Sequence, residues 1–299
     1  MSNIRPMKAS PTTVDALPLP CYIGIKYDGI RAIVKDGVVL SLSLKPIRNK
    51  AIQEAFGKPE YNGLDGELII GDIYAKDVFQ KTTSVVMSFD KAIDDLQFFV
   101  FDDFTNADEP YEKRSMLARM KIAANPHSKL VDATAYLYRN VAEVQICFRL
   151  QAELGGEGLI ARVPNDRYKF GRSTLKEGFL LKMKFYEQAE FKVVGFTEEM
   201  HNANEAQVNE LGRTARSSSK DGLVPKDTLG ALVVEMEDGR QFNCGTGFSA
   251  SSRKLIWENR ADYLGKWVSI RYMATGIKDL PRHPVFVSFR DEDDINNDY

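Results

Sequence analysis

A chain of 299 residues is long enough for two domains at roughly 150 residues each, and its 43% apolar and 27% charged content excludes wholesale disorder. No run approaches the ~18 consecutive apolar residues of a membrane span, the start carries no apolar block of a signal peptide, and three scattered cysteines without a CxxC pair argue against a disulfide framework and for a reducing compartment. The net charge of −2 speaks against nucleic acid only until its distribution is read: the last nine residues hold five acids and no base, leaving 40 bases against 37 acids, and residues 162–184 hold seven bases against two acids.

A stretch with a local charge of +5 can face phosphates, or it can be a solvated face balanced by an acidic tail. In chain order, short strands are expected at 22–26, 30–35 and 38–44, with Asp36-Gly37 as the turn of a hairpin. Between the first two lies Lys26-Tyr27-Asp28-Gly29-Ile30-Arg31. Strand alternation puts Lys26 and Asp28 on one face. One reading is an exposed hairpin of solvated charges. The other is a lysine nucleophile beside a carboxylate that holds it or a metal ion, with a guanidinium placed for phosphate.

Further strands are expected at 64–70, 97–102 and 158–162, and helices at 111–124 and 141–154. The second helix would bury Val144, Cys147, Phe148 and Leu154 and stop at Gly155-Gly156. Strands and helices mix without a regular βαβ alternation, so the first domain should be α+β on an antiparallel sheet.

Attack by a lysine needs the neutral amine, which from an ordinary lysine pKa of about 10.4 costs roughly 4–5 kcal/mol at pH 7. Neighbouring cations reduce that cost and a lone carboxylate increases it, so a nucleophile here calls for Mg²⁺ or several further bases. Glu67 and Glu157 supply strand-edge carboxylates, and Lys182 and Lys184 share one face of a short strand at 181–184. A phosphate-binding GxxxxGK[ST] loop is absent from the sequence. The GxGxx[GA] matches at 156–161 and 245–250 lack a βαβ setting and read as chance.

Beyond 184 the texture is mostly β, with strands at 191–196, 229–236, 241–244, 267–273 and 285–289, a hairpin turn at Asp238-Gly239, and a helical stretch at 252–264 with serine caps. Five short strands with a helix between the third and fourth is the layout of an OB barrel. The polar segment 201–227 reads as a mobile loop. The boundary falls near 187, dividing the chain into 1–187 and 188–299, with an acidic tail at 291–299.

The strings KYDGIR at 26–31, LDGEL at 64–68, FVFDDF at 99–104, EGLIAR at 157–162 and LKMK at 181–184 resemble, in this order, the nucleotidyltransferase motifs of ATP-dependent DNA ligases. GTGFS at 245–249 and RHPVF at 282–286 resemble their OB domain, and the length is similar to that of the short bacteriophage type. The resemblance implies an adenylation domain followed by an OB-fold barrel. It also implies ATP as AMP donor, Mg²⁺, and nicked duplex DNA as the partner of a monomer that works away from membranes, in the cytoplasm of the host if phage-encoded. In that family the KxDG lysine, here Lys26, attacks the α-phosphate of ATP and becomes lysyl-AMP. The AMP passes to the 5′-phosphate of a nick, and the 3′-hydroxyl displaces it.

By the same resemblance Ile25, Asp28, Arg31, Arg48, Glu67, Phe101, Lys182 and Lys184 bind the nucleotide. Glu67 would take the ribose, Phe101 would stack on adenine, and the two lysines would meet the α-phosphate. Glu157 and Asp28 would hold the metal. Lys45, Arg167, Lys169 and Arg172 would bind DNA, as would Arg213, Arg216 and Lys220 in the loop, mainly through the backbone. Arg282 and Arg290 would orient pyrophosphate. Two departures stand out. Ser41-Leu42 occupies the place of a usual Ser-Arg, so a phosphate-binding arginine is missing and Lys45 or Arg48 should take over. Arg290 is followed by acids where a lysine is usual. An RNA ligase or mRNA-capping guanylyltransferase shares KxDG and an OB domain, and a non-catalytic OB-type nucleic-acid-binding protein would lack the chemistry; GTGFS and RHPVF favour a DNA ligase.

Overall fold

Apolar alternation in the first half of the chain builds two five-stranded sheets. A computed structural model describes residues 4–210, 212–273 and 280–290, and the chain divides into the units Met1–Phe185 and Tyr186–Tyr299. The first unit contains β1 (Ser10–Pro11), β2 (Cys21–Ile25), β3 (Ile30–Lys35), β4 (Val38–Ser41), α1 (Lys50–Phe56), β5 (Leu64–Ile70), α2 (Val78–Val86), β6 (Leu96–Asp103), α3 (Tyr111–Ala123), β7 (Leu130–Asp132), β8 (Tyr136–Tyr138), α4 (Val141–Glu153), β9 (Gly158–Arg162) and β10 (Leu181–Lys184). One sheet runs β1-β10-β9-β2-β8 and the other β4-β3-β5-β6-β7. Pairing is antiparallel except for β1 with β10 and β6 with β7.

Local chemistry accounts for the elements. Asp36 and Gly37 have φ of 52° and 73°, the two positive values that a type I′ hairpin turn requires. The helices α1 and α2 were not foreseen, because at 7 and 9 residues each falls short of the roughly 11-residue window over which helical periodicity is read. Helix α1 starts at a buried cap: Asn49 accepts from the Ile52 N–H at 3.1 Å, and its amide donates to the carbonyls of Val85 and Lys91. Ile52, Phe56, Leu64, Leu68, Phe98 and Val100 pack into one core, each side chain contributing roughly 1.5–3 kcal/mol. On α4, Val144 is fully buried with Cys147 and Phe148 against it. Leu154, expected on that inner face, is 52% exposed, because it sits past the last turn as the cap.

The second unit contains β11 (Glu187–Asn202), β12 (Ala206–Val208), β13 (Thr214–Arg216), β14 (Leu223–Glu235), β15 (Gln241–Cys244), α5 (Ala250–Glu258), α6 (Arg260–Tyr263), β16 (Trp267–Met273) and β17 (Arg282–Arg290). Its sheet runs β15-β14-β11-β16-β17. Strand β11 is shared: Glu187–Lys192 pairs with β16, and Lys192 onward pairs with β14 through register shifts that bend it, the first between Val193 and Gly195. Among the described residues the edge strands meet only at a Thr246–Val285 bridge, where the Phe286 N–H donates to the Thr246 carbonyl at 2.9 Å. The unit is thus OB-like, and the expected barrel is not closed by a continuous ladder.

About half of the segment 201–227, expected to be a loop, is strand. Strand β11 runs to Asn202, β14 begins at Leu223, and β12 pairs with β13 as a hairpin. These strands are exposed on both faces, so they lack the alternation that betrays a strand in sequence. Backbone pairing and the Asn204 side chain, which donates to the carbonyls of Ser217 and Ser219 at 3.1 and 2.9 Å, hold them. Residues 291–299 lie outside the described residues. Among the described residues no helix is long and apolar enough to cross a membrane.

Candidate active site

Lys26 lies one residue past β2, on the connection that carries the chain from one sheet of the first unit to the other. Residues 26–28 lie outside the strands, so strand alternation does not set the directions of Lys26 and Asp28. The Lys26 N–H donates to the Gly158 carbonyl at 3.0 Å, and Lys184 pairs with Gly158 from the other side. Glu157, the residue before, therefore reaches both lysines. Its Oε2 accepts from Lys26 Nζ, and its Oε1 lies 2.7 Å from Lys184 Nζ. Gly158 has a φ of +144°, and a Cβ there would lie 1.9 Å from the Met183 carbonyl oxygen. Only glycine fits this crossing.

The second sheet supplies the opposite wall. Arg31 pairs with Glu67, and Glu67 with Phe99. A bulge follows: Gly66 pairs with Val100 but Asp65 with Asp102, which leaves Phe101 as the extra residue and re-aims it. Arg31 grips the Asp65 carboxylate at 2.5 and 2.6 Å, with its guanidinium 4.6 Å from the Phe101 ring centre. The Tyr111 hydroxyl donates to the Phe101 carbonyl at 3.0 Å and accepts from the Ala135 N–H at 2.7 Å, tying two walls together.

Between these walls is a cavity of about 350 Å³, within the range of small-molecule sites. Of the residues expected to act, Ile25, Lys26, Arg31, Glu67, Phe101, Lys182 and Arg172 line it. Glu157 and Lys184 join through their ion pairs with one another and with Lys26. Asp28, Lys45, Arg48, Arg167 and Lys169 do not line it, whereas Leu42 does. The replacement of the missing arginine by Lys45 or Arg48 is therefore not realised at this cavity: both are exposed on the stretch after β4. Lys8, Tyr27, Tyr111 and Arg162 also line it. None of these was given a role from sequence: Tyr27 and Arg162 lie inside the KYDGIR and EGLIAR strings, whereas Lys8 and Tyr111 arrive through long-range packing.

Burial first, with Glu157 and Asp65 adding, pushes the Glu67 carboxyl up to about 8 against the pull of Arg31 and Lys26. Burial also pushes Glu157 up, but Lys26 and Lys184 more than reverse this and hold it below the usual carboxylate range. Lys182 is lowered by burial, then by Lys184, Lys26 and Arg172. Burial disfavours the charge on Arg31, yet Asp65 outweighs it and keeps the guanidinium firmly protonated. Among the described residues no group of three or more His, Cys, Asp or Glu could hold a metal ion by itself.

The basic stretch 162–184 does not act as one surface. Arg162 is 2% exposed and donates to Asp102 at 2.7 Å; Arg114, 1% exposed, joins Asp102 to Asp166. Lys169 is held by both oxygens of Glu177 at 2.7 Å, while Arg167 is exposed. In the second unit Arg213, Arg216 and Lys220 are exposed, with Arg216 on β13 and Lys220 on the following turn. Arg282 and Arg290 begin and end β17, and Arg290 pairs with Glu190. The GTGFS segment and β17 are joined by Thr246, whose hydroxyl donates to the Pro284 carbonyl. Arg253 donates to the Leu229 and Gly230 carbonyls at 2.7 and 2.9 Å.

Comparison with known proteins agrees with this geometry. A family model of the ATP dependent DNA ligase domain matches residues 5–184, and one of the DNA ligase OB-like domain matches residues 224–290. The chain is similar to a solved Chlorella virus DNA ligase-adenylate at 31% identity over 97% of this chain and 99% of that one, with a TM-score of 0.56. Its fold is similar to a Lig E DNA ligase structure at 24% identity over 96% and 99%, with a TM-score of 0.72. Among curated proteins, none matches the chain. The ligase-domain match covers more than half of the sequence, and the chain belongs to the family of ATP-dependent DNA ligases.

Proposed function

We propose that this DNA ligase seals nicks in duplex DNA through an adenylate carried on Lys26. The observation that carries the reading is a single one: Lys26 opens into a cavity between two sheets, where Glu157 binds it together with Lys184. The amine attacks the α-phosphorus of ATP. A P–N bond forms, the bond to pyrophosphate breaks, and the amine gives up its proton. In the second step the 5′-phosphate of the nick takes the AMP, and in the third the 3′-hydroxyl displaces it. Each is an in-line displacement in which positioning and charge neutralisation supply the catalysis.

The roles follow from the walls. Phe101 and Ile25 face the base, Glu67 meets the ribose, and Lys182 and Lys184 meet the α-phosphate. Arg31 fixes the Phe101 wall through Asp65 while facing the nucleotide. Magnesium fits the donor chemistry, since Glu157 is held ionised by its lysines and Mg²⁺ is usually bound by one or two carboxylates plus substrate phosphates. Glu157 and Asp28 would hold it, and when bound it neutralises phosphate charge. Lys45, Arg167, Lys169 and Arg172 contact duplex phosphates, as do Arg213, Arg216 and Lys220 of the OB-like unit. Arg282 and Arg290 orient pyrophosphate, Arg290 by exchanging Glu190 for it. The enzyme acts as a monomer in the cytoplasm.

Incubation with labelled ATP and magnesium should give an acid-labile protein–AMP species whose adenylyl mass maps to Lys26, and the isolated species should seal a nicked duplex. Label from GTP alone, or an adenylyl mass on another residue, would refute the proposal.

A further inference from the structure

Leu42 lines the cavity at the position where the ligase pattern has an arginine, and the nearby bases Lys45 and Arg48 do not line it, but Lys8 does. The backbone brings Lys8 there. Its N–H donates to the Gly171 carbonyl at 2.7 Å, its carbonyl accepts from the Ser173 N–H at 2.9 Å, and Lys8 and Arg172 form a parallel bridge. Directly paired residues project from the same face of a sheet, so two cations from segments far apart in sequence stand side by side. Two residues after Ser10, itself in β1, the Thr12 N–H donates to the Lys182 carbonyl at 3.0 Å, so the same segment runs past the third cation.

Burial anchors the backbone of this segment: Met7 is fully buried and Lys8 half-buried, while the exposed Arg172 donates to the Ala9 carbonyl at 2.8 Å. Like charges on directly paired positions repel, and an anion between Lys8 and Arg172 would relieve them. Lys182, on the strand beside this segment, is lowered by burial, then by Lys184, Lys26 and Arg172. A lysine serves phosphate as a point charge and an arginine as a fork.

We propose that Lys8, acting with Arg172, binds a substrate phosphate and replaces the arginine that this chain lacks at Leu42. The phosphate belongs either to ATP during adenylylation or to the 5′ end of the nick during AMP transfer. This rests on the ligase reading above.

The test compares the full-length chain with Lys8→Ala, Lys8→Arg and the double variant Lys8→Ala/Leu42→Arg in two single-turnover steps. One is labelling of Lys26 by ATP and magnesium. The other is sealing of a nicked duplex by enzyme already adenylylated, without added ATP. Lys8→Ala should slow one step by about tenfold or more, the loss of one charge-assisted hydrogen bond. Lys8→Arg and the added Leu42→Arg should each recover part of that loss. A loss confined to labelling assigns the phosphates of ATP, and a loss confined to sealing assigns the nick. Lys8→Ala proceeding through both steps at wild-type rates would overturn the proposal. So would a loss accompanied by a lowered melting temperature that neither arginine repairs, because that marks a structural role. If the wild type itself forms no adenylate, the ligase reading falls and this proposal with it; in every other outcome that reading stands.

Discussion

Two groups of charges border the same cavity and use the same residue types to opposite ends. Arg162 and Arg114 close on Asp102 and Asp166, with all four side chains at most 2% exposed. Lys26 and Lys184 share one carboxylate, Glu157, with Lys182 near enough to feel both. In the first group both arginines are engaged by buried carboxylates, and burial pushes the Asp166 carboxyl up to about 6 against the pull of Arg162 and Arg114. In the second the cations outnumber the carboxylate and favour an incoming phosphate. An arginine inside a recognisable motif is therefore not by itself a ligand contact; its burial and its partners decide.

The sharpest way to break this contrast is Lys26→Ala. It should abolish the protein–AMP species and lower sealing by on the order of 10⁴-fold or more, with a urea midpoint close to wild type because Lys184 still holds Glu157. A variant that still sealed would end the assignment of the nucleophile. In the closed group, Arg114→Leu leaves two buried carboxylates, Asp102 and Asp166, facing one arginine, Arg162, and should destabilise the fold by about 3–5 kcal/mol, read in urea unfolding. A loss of less than about 1 kcal/mol would mean that the network is not a stabilising closed circuit.

Lys182→Ala lies between the extremes. It should slow labelling of Lys26 by about 10²-fold, as the loss of one charge-stabilising donor does, and leave unfolding unchanged. Glu67→Gln tests the electrostatics through pH. Because burial raises this acid from 4.5 to about 8, the fold favours its protonated form. Its contribution to stability is full below about 4.5 and is lost as pH rises through about 8. The variant, which mimics the neutral acid, should therefore gain on wild type as unfolding is measured from pH 5 to pH 9, roughly the window between the two values. Parallel stability curves would show Glu67 already ionised in the fold.

The smallest effects belong to the surface. Lys169→Ala removes a partly exposed pair with Glu177 and should shift stability by less than about 1 kcal/mol. If Lys169 and Arg167 each meet a duplex phosphate, neutralising either should reduce the salt slope of binding by about 0.9. An unchanged slope would remove them from the DNA contacts.

Much of this was legible before any coordinates. The Asp36-Gly37 turn, the helix beginning at Tyr111, and the strands bearing Glu67, Phe101 and Lys182 depend on residues a few positions apart, whose propensity and alternation are written locally. The hairpin at 206–216 was misread because it hides no side chain. Arg162 was misread because its neutralising partner lies 60 residues away. Phe101 was expected to stack on adenine, but no local signal marked the bulge opposite Asp65 that sets its direction.

By itself, the order of residues determined the chemistry on offer: a lysine after an apolar strand, glycines where backbones cross, carboxylates and bases at strand ends, and an acidic tail. Folding alone decided which of those groups face a cavity and which cancel one another. It joined Lys26 to a carboxylate 131 positions away and laid Lys8 beside Arg172. The physical reason is that propensity acts over one or two turns of chain, whereas desolvation and charge pairing act only through space, between groups that the sheets bring into contact.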